Sequence, residues 1–270
     1  MHNVLINANL YSDSLRLRPV LKSFNKTIFK HIDTVYTGTD ELAGLLRKIY
    51  AGPVHVIGDS RFDQVAERAQ RNAETYLSPE LISGRRVVVY GSVIESDLKT
   101  IVEGIAEAEP GMNALHVVVP HETKERDLII WEVEFYRHKI KTIRKTEIDQ
   151  YAGESVLIWD SVGQLADLYQ HAWLAYIGAG FSTGVHSVTE PAVYKVPSAH
   201  GPKYDILAEA IELVQLNLST VVRSPQDLKD FLLLDDAEID RRSREIAKYV
   251  QGRLGASDRF LQQEFPLKFS

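Results

Sequence analysis

Short apolar runs rich in valine and isoleucine recur along the chain. Each closes at a glycine, proline, aspartate or asparagine. On that signal Val4–Asn7, Thr34–Tyr36, Val54–Ile57, Val87–Tyr90, Leu115–Val119, Val156–Trp159 and Ala175–Ile177 are predicted strands. Amphipathic stretches separate them. Leu42, Leu45, Leu46 and Ile49 recur at helical spacing within Asp40–Ile49, as do Ile101, Val102 and Ile105 within Leu98–Ala108. Alternating strands and helices predict an α/β fold with parallel sheets covered by helices. Unbroken runs such as Val87-Val88-Val89 suit strands buried on both faces. The segment Arg137–Lys145 is basic, but alternation around Ile140 and Ile143 predicts an exposed strand there.

The pattern changes between residues 58 and 86. Gln64–Tyr76 is polar and alanine-rich, and Leu77-Ser78-Pro79-Glu80 and Gly84-Arg85-Arg86 follow it. A fresh strand–helix series then begins at Val87. Residues 1–62 are therefore expected to form the late part of one α/β domain, since three strands are few for a whole one. Residues 63–84 are expected to be a linker and 85–235 a complete second α/β domain. Ile239, Ile246, Val250 and Leu254 stand among charges, so 236–270 is expected to form C-terminal helices that pack back across the domains. The run Asp235-Asp236-Ala237-Glu238 reads as a solvated helix start, with acids placed favourably for the dipole.

Composition narrows the chemistry. Of 270 residues, 44% are hydrophobic and 25% charged, which excludes disorder, collagen and coiled coil as the main state. A net charge of −6 makes a broad nucleic-acid-binding face unexpected. The chain has no cysteine, which excludes disulfides, thiolate zinc sites and a cysteine nucleophile. No apolar run approaches the ~20 residues that span a bilayer. Met1-His2-Asn3-Val4 does not open a signal peptide.

The densest signal runs from Trp173 to Ala192. A buried strand enters the glycine-rich loop Gly178-Ala179-Gly180-Phe181-Ser182-Thr183-Gly184, and a helix is expected after His186. Such a loop brings backbone close to a ligand, and a helix start offers free N–H groups to a phosphate. Glu190, about one turn into that helix, is placed to accept from a ribose diol. The plainer reading is a tight turn with Ser187 as cap. His186 either donates to a phosphate or packs beside the loop. His121 and Glu122 follow strand Leu115–Val119 and Pro120, as site residues or as an exposed strand exit. Ser92, after Gly91, either caps a helix near Ser96-Asp97 or meets a phosphate oxygen. Asp160 either caps a helix or faces the ligand, and Gly163 admits a base. Together these strand exits outline a crevice at a sheet edge. Metalloprotease, Walker, nucleophile-elbow and EF-hand signatures are missing. Gly178-Ala179-Gly180 fails to complete Gly-x-Gly-x-x-Gly because position 183 is threonine.

In order, the blocks are Asn7-Ala8-Asn9-Leu10, Gly58–Asp63, Gly91-Ser92, Val119-Pro120-His121-Glu122, Asp160–Leu165 with Leu168-Tyr169, Tyr176–Phe181, Gly184-Val185-His186, Glu190 and Gly201-Pro202-Lys203-Tyr204. This order resembles the C-terminal two-thirds of the 3-deoxy-D-manno-octulosonic acid (Kdo) transferases, lipid A glycosyltransferases, and within them a Bacteroidetes-like branch. The resemblance implies a GT-B architecture of two Rossmann-like domains with a cleft between them. It implies donor binding, of CMP-Kdo, by Gly91, Ser92, His121, Glu122, Asp160, Gly163, Gly178, Gly180, Gly184, His186, Ser187 and Glu190. It implies no cofactor and no obligatory metal. A lipid A precursor is the implied acceptor, met by the acceptor-side domain at the cytoplasmic face of the inner membrane, and nucleic acid is not an implied partner. The family's catalytic base and membrane-contacting segment fall upstream of the matching residues. No residue here takes the base's role by carry-over, and this stretch alone is expected to be soluble and to catalyse little. Four positions depart from the family pattern: Ser187 replaces asparagine, Val93 threonine, Ala179 glycine and Leu207 phenylalanine. Two alternatives stand beside this reading. One is a GT-B glycosyltransferase or sugar epimerase using a UDP- or GDP-sugar. The other is a non-catalytic nucleotide-binding remnant.

Overall fold

Two compact units share the chain in the computed structural model, which describes residues 2–10, 14, 17–71 and 75–266. The first comprises Met1–Glu67 and Val250–Ser270, the second Arg68–Tyr249. Residues 72–74 of the expected linker, Met1, and 267–270 of the expected C-terminal helices lie outside the described residues.

The first unit runs β1 (Val4–Leu5), α1 (Pro19–Phe29), β2 (Thr34–Thr37), α2 (Asp40–Leu46), β3 (Val54–Val56) and the start of α3 (Ser60–Gln70). Its parallel sheet has the order β1-β2-β3, with Val4 opposite Thr34 and Val35 opposite Val54. The central strand β2 is buried along its whole length. The Thr39 hydroxyl accepts from the Leu42 amide at 3.2 Å and starts α2, with Asp40 and Glu41 in its first turn. The last helix, α12 (Ala256–Glu264), belongs to this unit. The Asp63 carboxylate accepts from the Gly255 and Ser257 amides at 2.6 and 2.7 Å. Tyr36 donates to Glu264 at 2.6 Å, and Arg259 to the Ile57 carbonyl at 2.7 Å.

The second unit begins with α4 (Pro79–Ile82), β4 (Arg86–Val93), α5 (Leu98–Ala108), β5 (Ala114–Pro120) and α6 (Glu125–Arg137). It continues through β6 (Thr142–Arg144), β7 (Val156–Ile158), α7 (Leu165–Leu168), β8 (Leu174–Ile177), α8 (Thr189–Val193) and β9 (Ser198–His200). It ends with α9 (Ala208–Gln215), β10 (Ser219–Val221), α10 (Pro225–Leu232) and most of α11 (Asp236–Gln251). All seven strands are parallel, in the order β10-β9-β8-β4-β5-β7-β6. The valine runs explain why both faces are covered. Val88, Tyr90, Val118 and Tyr176 pack with Ile101, Ile105, Trp131 and Phe231, while their neighbours Val87, Val89, Val117 and Ala175 pack with Leu77, Trp159, Leu168 and Tyr169. From β4 the chain first moves to β5 and later returns to β8 on β4's other side. The strand order therefore reverses between β4 and β8, the point at which open α/β sheets bind ligands at the carboxyl ends of their strands.

Several expectations need adjustment. The stretch expected as a linker carries most of α3 and all of α4, and Leu77 and Leu81 are buried in the second unit. Of Arg137–Lys145 only Thr142–Arg144 is strand. Arg137 ends a helix, Ile140 is buried with Trp131 and Phe135 of that helix, and Ile143 on β6 is buried with Leu157 and Trp159 in the other cluster. Strands β9 and β10 were not anticipated. Among the described residues no helix is long and apolar enough to cross a membrane.

Candidate functional site

Strand β4 does not stop at Ser92 but bulges there. Ser92 takes φ 55°, and the register with β5 shifts between Gly91 and Val93. A bulge re-aims the side chain it carries. The Ser92 hydroxyl consequently meets His121 Nδ1 at 2.8 Å instead of capping a helix. The His121 amide donates to the Val93 carbonyl at 2.8 Å, which fixes the residue at the end of β5. His186 stacks on the His121 ring, with centroids 4.8 Å apart and planes 11° apart. Burial first, and the neighbouring His121 second, lower the His186 pKa from its usual 6.5. A neutral ring donates one N–H without carrying charge.

The glycine-rich turn leaves β8 beside this cluster. A Cβ at Gly178 would lie 2.3 Å from the Ser92 carbonyl, and one at Gly180 2.5 Å from the Gly201 amide nitrogen. These glycines are required by close approach of the chain to itself. The turn is also tied to the loop after β9. Lys203 donates from its amide to the Gly180 carbonyl and from Nζ to the Ser182 carbonyl, both at 2.8 Å, and its own carbonyl accepts from Val185. Beneath the turn lies Asp97, fully buried, which the sequence did not single out as a site residue. Its carboxylate accepts from the Ala179 amide at 2.8 Å, the Ile94 amide at 3.0 Å and the Tyr176 hydroxyl at 3.0 Å.

The helix after the turn starts later than expected. It is the five-residue α8, its N-cap position is Val188, and Ser187 is exposed and caps nothing. So short a helix, set three residues beyond His186, offers no extended phosphate-binding end. Glu190, its second residue, is half-buried, and burial raises its pKa above the usual 4.5, opposed by Arg68 and reinforced by Asp167. Arg68 is itself held by Asp167, at 2.8 Å and 3.1 Å. Glu190 makes no hydrogen bond among the described residues. The nearby Tyr194 hydroxyl is buried without a partner among them. The unpaired buried Tyr194 hydroxyl is costly unless a polar group meets it.

The other anticipated residues lie at the rim or outside it. Gly91 stands under the Tyr169 hydroxyl, where a Cβ would lie 2.0 Å away, and Gly184 turns at φ 109° against Ile206. Glu122 is exposed and paired with Lys124 at 3.0 Å. Asp160 spends both oxygens on Thr146, its amide and its hydroxyl. Gly163 is exposed, adopts φ 80°, and its carbonyl accepts from Arg68 at 3.2 Å. The structure thus brings together Ser92, His121, Gly178, Gly180, Gly184 and His186, with Gly91 and Glu190 on the adjoining wall. It leaves Glu122, Asp160 and Ser187 engaged elsewhere or exposed. Ser92 binds Nδ1 of its histidine, and the adjacent Glu122 is spent on Lys124, so the pair does not have the arrangement of a hydrolase triad. The cluster presents one hydroxyl and two imidazoles beside a glycine-rich turn.

No protein-family profile matches the chain. The C-terminal CMP-Kdo binding domain of WaaA from Acinetobacter baumannii superposes with a TM-score of 0.55 at 21% identity, covering 71% of this chain and 98% of that one. The UDP-N-acetylglucosamine 2-epimerase described for Listeria monocytogenes does so at 0.64 and 14% identity, covering 98% of this chain and 68% of that one. The fold is that of the GT-B glycosyltransferases and sugar epimerases, with Rossmann-like units. In sequence, a 3-deoxy-D-manno-octulosonic acid transferase of Chlamydia trachomatis is 25% identical over 252 residues, covering 86% of this chain and 55% of its own length. Within that class the chain is similar in sequence to Kdo transferases, and one from Rickettsia felis is 21% identical over 267 residues. It spans about half the length of the curated relatives it matches.

Proposed function

We propose that the second unit binds the nucleotide sugar CMP-Kdo, and that the chain is the donor side of an enzyme that transfers Kdo to a lipid A precursor in lipopolysaccharide biosynthesis. The observation that carries the reading is the contact of Ser92, His121 and His186 beside the Gly178–Gly184 turn, at the point where the strand order reverses. In this reading Ser92, His121 and His186 face the donor's phosphate, and Glu190 with Tyr194 takes the ribose hydroxyls. In the transfer an acceptor hydroxyl attacks the anomeric carbon of Kdo and CMP departs. The groups here hold the leaving nucleotide, and the general base is assigned to no residue of this chain. The lipid acceptor and contact with the inner membrane belong to the proposal for the whole protein.

A second reading is a sugar epimerase or transferase that uses a uridine nucleotide. It is favoured by the structural likeness to the Listeria epimerase, which extends over nearly all of the chain. Calorimetric titration with CMP and UDP separates the two. Selective binding of CMP is expected. Preference for UDP would overturn the Kdo assignment and leave the fold class standing, and binding of neither nucleotide by the folded chain would favour a remnant without donor affinity.

A further inference from the structure

Asp97 is the least expected group near the site. A carboxylate at 0% exposure is expensive unless its oxygens are satisfied. Here three donors converge on it, and two of them belong to the strand and turn that build the crevice: Tyr176 of β8 and the amide of Ala179. The third, the amide of Ile94, ties the same carboxylate to the end of β4. One side chain therefore joins the two strands between which the strand order reverses.

The residue held by this bond is itself unusual. Ala179 adopts φ 68°, a left-handed conformation that strains a residue with a Cβ. Its carbonyl accepts from both Ser182 and Gly184 at 3.1 Å, which closes the turn. The amides of Gly180 and Phe181, which follow it directly, donate to no acceptor among the described residues, although Gly180 is buried. Successive unpaired amides beside a left-handed residue form a concavity suited to an anion. A buried N–H left unpaired is rare in proteins. The strain at Ala179 and the unpaired amides have one common anchor, the Asp97–Ala179 hydrogen bond.

We infer that Asp97 is a positioning residue of the donor site: by holding the Ala179 amide it sets the Gly178–Phe181 turn so that the amides of Gly180 and Phe181 meet the nucleotide's phosphate. The inference rests on the proposed function for the identity of the anion, but not for the bond itself. Asp97 touches no ligand and acts through the turn.

The test compares Asp97→Ala with Tyr176→Phe in the full chain. One oxygen of Asp97 accepts from both backbone amides and the other from Tyr176, so Asp97→Ala removes the acceptor of the Ala179 amide, whereas Tyr176→Phe removes only the hydroxyl and leaves both backbone bonds in place. Titrations with CMP and with cytidine separate phosphate from nucleoside. Asp97→Ala is expected to lower CMP affinity about tenfold or more with cytidine affinity held within about twofold. Tyr176→Phe is expected to lower thermal stability without changing the ratio of the two affinities. Equal losses of CMP and cytidine in Asp97→Ala, or no loss in a folded protein, would overturn the inference, as would a selective CMP loss in Tyr176→Phe. Amide hydrogen exchange at Ala179 provides an arm independent of ligand. Exchange there should be slow in the wild-type chain and faster in Asp97→Ala than in Tyr176→Phe. If the wild-type chain binds neither CMP nor UDP, the function reading fails and exchange decides this one, equal rates in the two variants overturning it. If Asp97→Ala does not fold, fast exchange at Ala179 in the wild-type chain overturns it, and slow exchange with an unchanged affinity ratio in Tyr176→Phe supports it.

Discussion

His116 illustrates how burial sets a single residue's chemistry. It lies on β5 at 1% exposure, with Nδ1 2.9 Å from the Tyr90 hydroxyl and Nε2 3.9 Å from Glu109. Burial first, and Arg85 second, push its pKa from 6.5 down to about 3, so the ring is neutral and its contact with Glu109 is not an ion pair at neutral pH. The unfolded chain takes up a proton below pH 6.5 that the folded chain refuses until about pH 3. Stability contributed by the neutral ring is thus intact above 6.5 and falls with pH inside that window, by up to about 1.4 kcal/mol per unit. Urea unfolding of His116→Gln between pH 7 and 4 should show a flatter pH dependence than the wild type. An identical slope would assign the acid sensitivity to other groups. Glu190 is the corresponding case at the site. If it holds the ribose, Glu190→Ala should weaken CMP binding by about 1–3 kcal/mol in titration calorimetry, with the thermal transition retained.

At the scale of elements, two glycines with opposite surroundings give opposite expectations. Gly44 lies within α2 with nothing inside 4 Å of a Cβ, so Gly44→Ala should raise stability by roughly 0.5–1 kcal/mol. A Cβ at Gly180 meets the Gly201 backbone at 2.5 Å, so Gly180→Ala should lower it by roughly 1–3 kcal/mol as the turn opens. Thermal unfolding of both variants checks the pair. The same contrast explains what was legible in the sequence. Helix α5 falls on the predicted Leu98–Ala108, because its apolar spacing is local and its partners are simply apolar. Strands β4, β5, β7 and β8 announce themselves through valine and isoleucine. Strands β9 and β10 are three residues each and begin with Ser198 and Ser219, whose hydroxyls lie 3.2 Å apart in the interior. Their burial comes from neighbouring strands, and no apolar run marks it. The candidate site was legible in the same uneven way. Strand exits identified Ser92, His121 and His186, but not that a bulge would turn Ser92 toward His121. Asp97 went unremarked as a site residue because two of its partners are 79 and 82 residues away.

At the scale of the molecule, the second unit is continuous in sequence and the first is not. Residues 68–249 hold a seven-stranded sheet covered on both faces, which is enough to fold alone. Produced separately, this segment should give a cooperative calorimetric transition and keep whatever CMP affinity the full chain shows. A fragment without a transition would make its stability depend on the remaining residues. The first unit lacks that independence, because α12 reaches it only after the chain has passed through the whole of the second. Asp63, Tyr36 and the Ile57 carbonyl all take partners from residues 255–264. On the ribosome, then, the order of completion inverts the order of synthesis. Residues 1–67 wait, with unmet hydrogen-bonding groups, while some 180 later residues emerge and fold. A stop codon near position 250 would therefore be felt most in residues 36–63, made long before it.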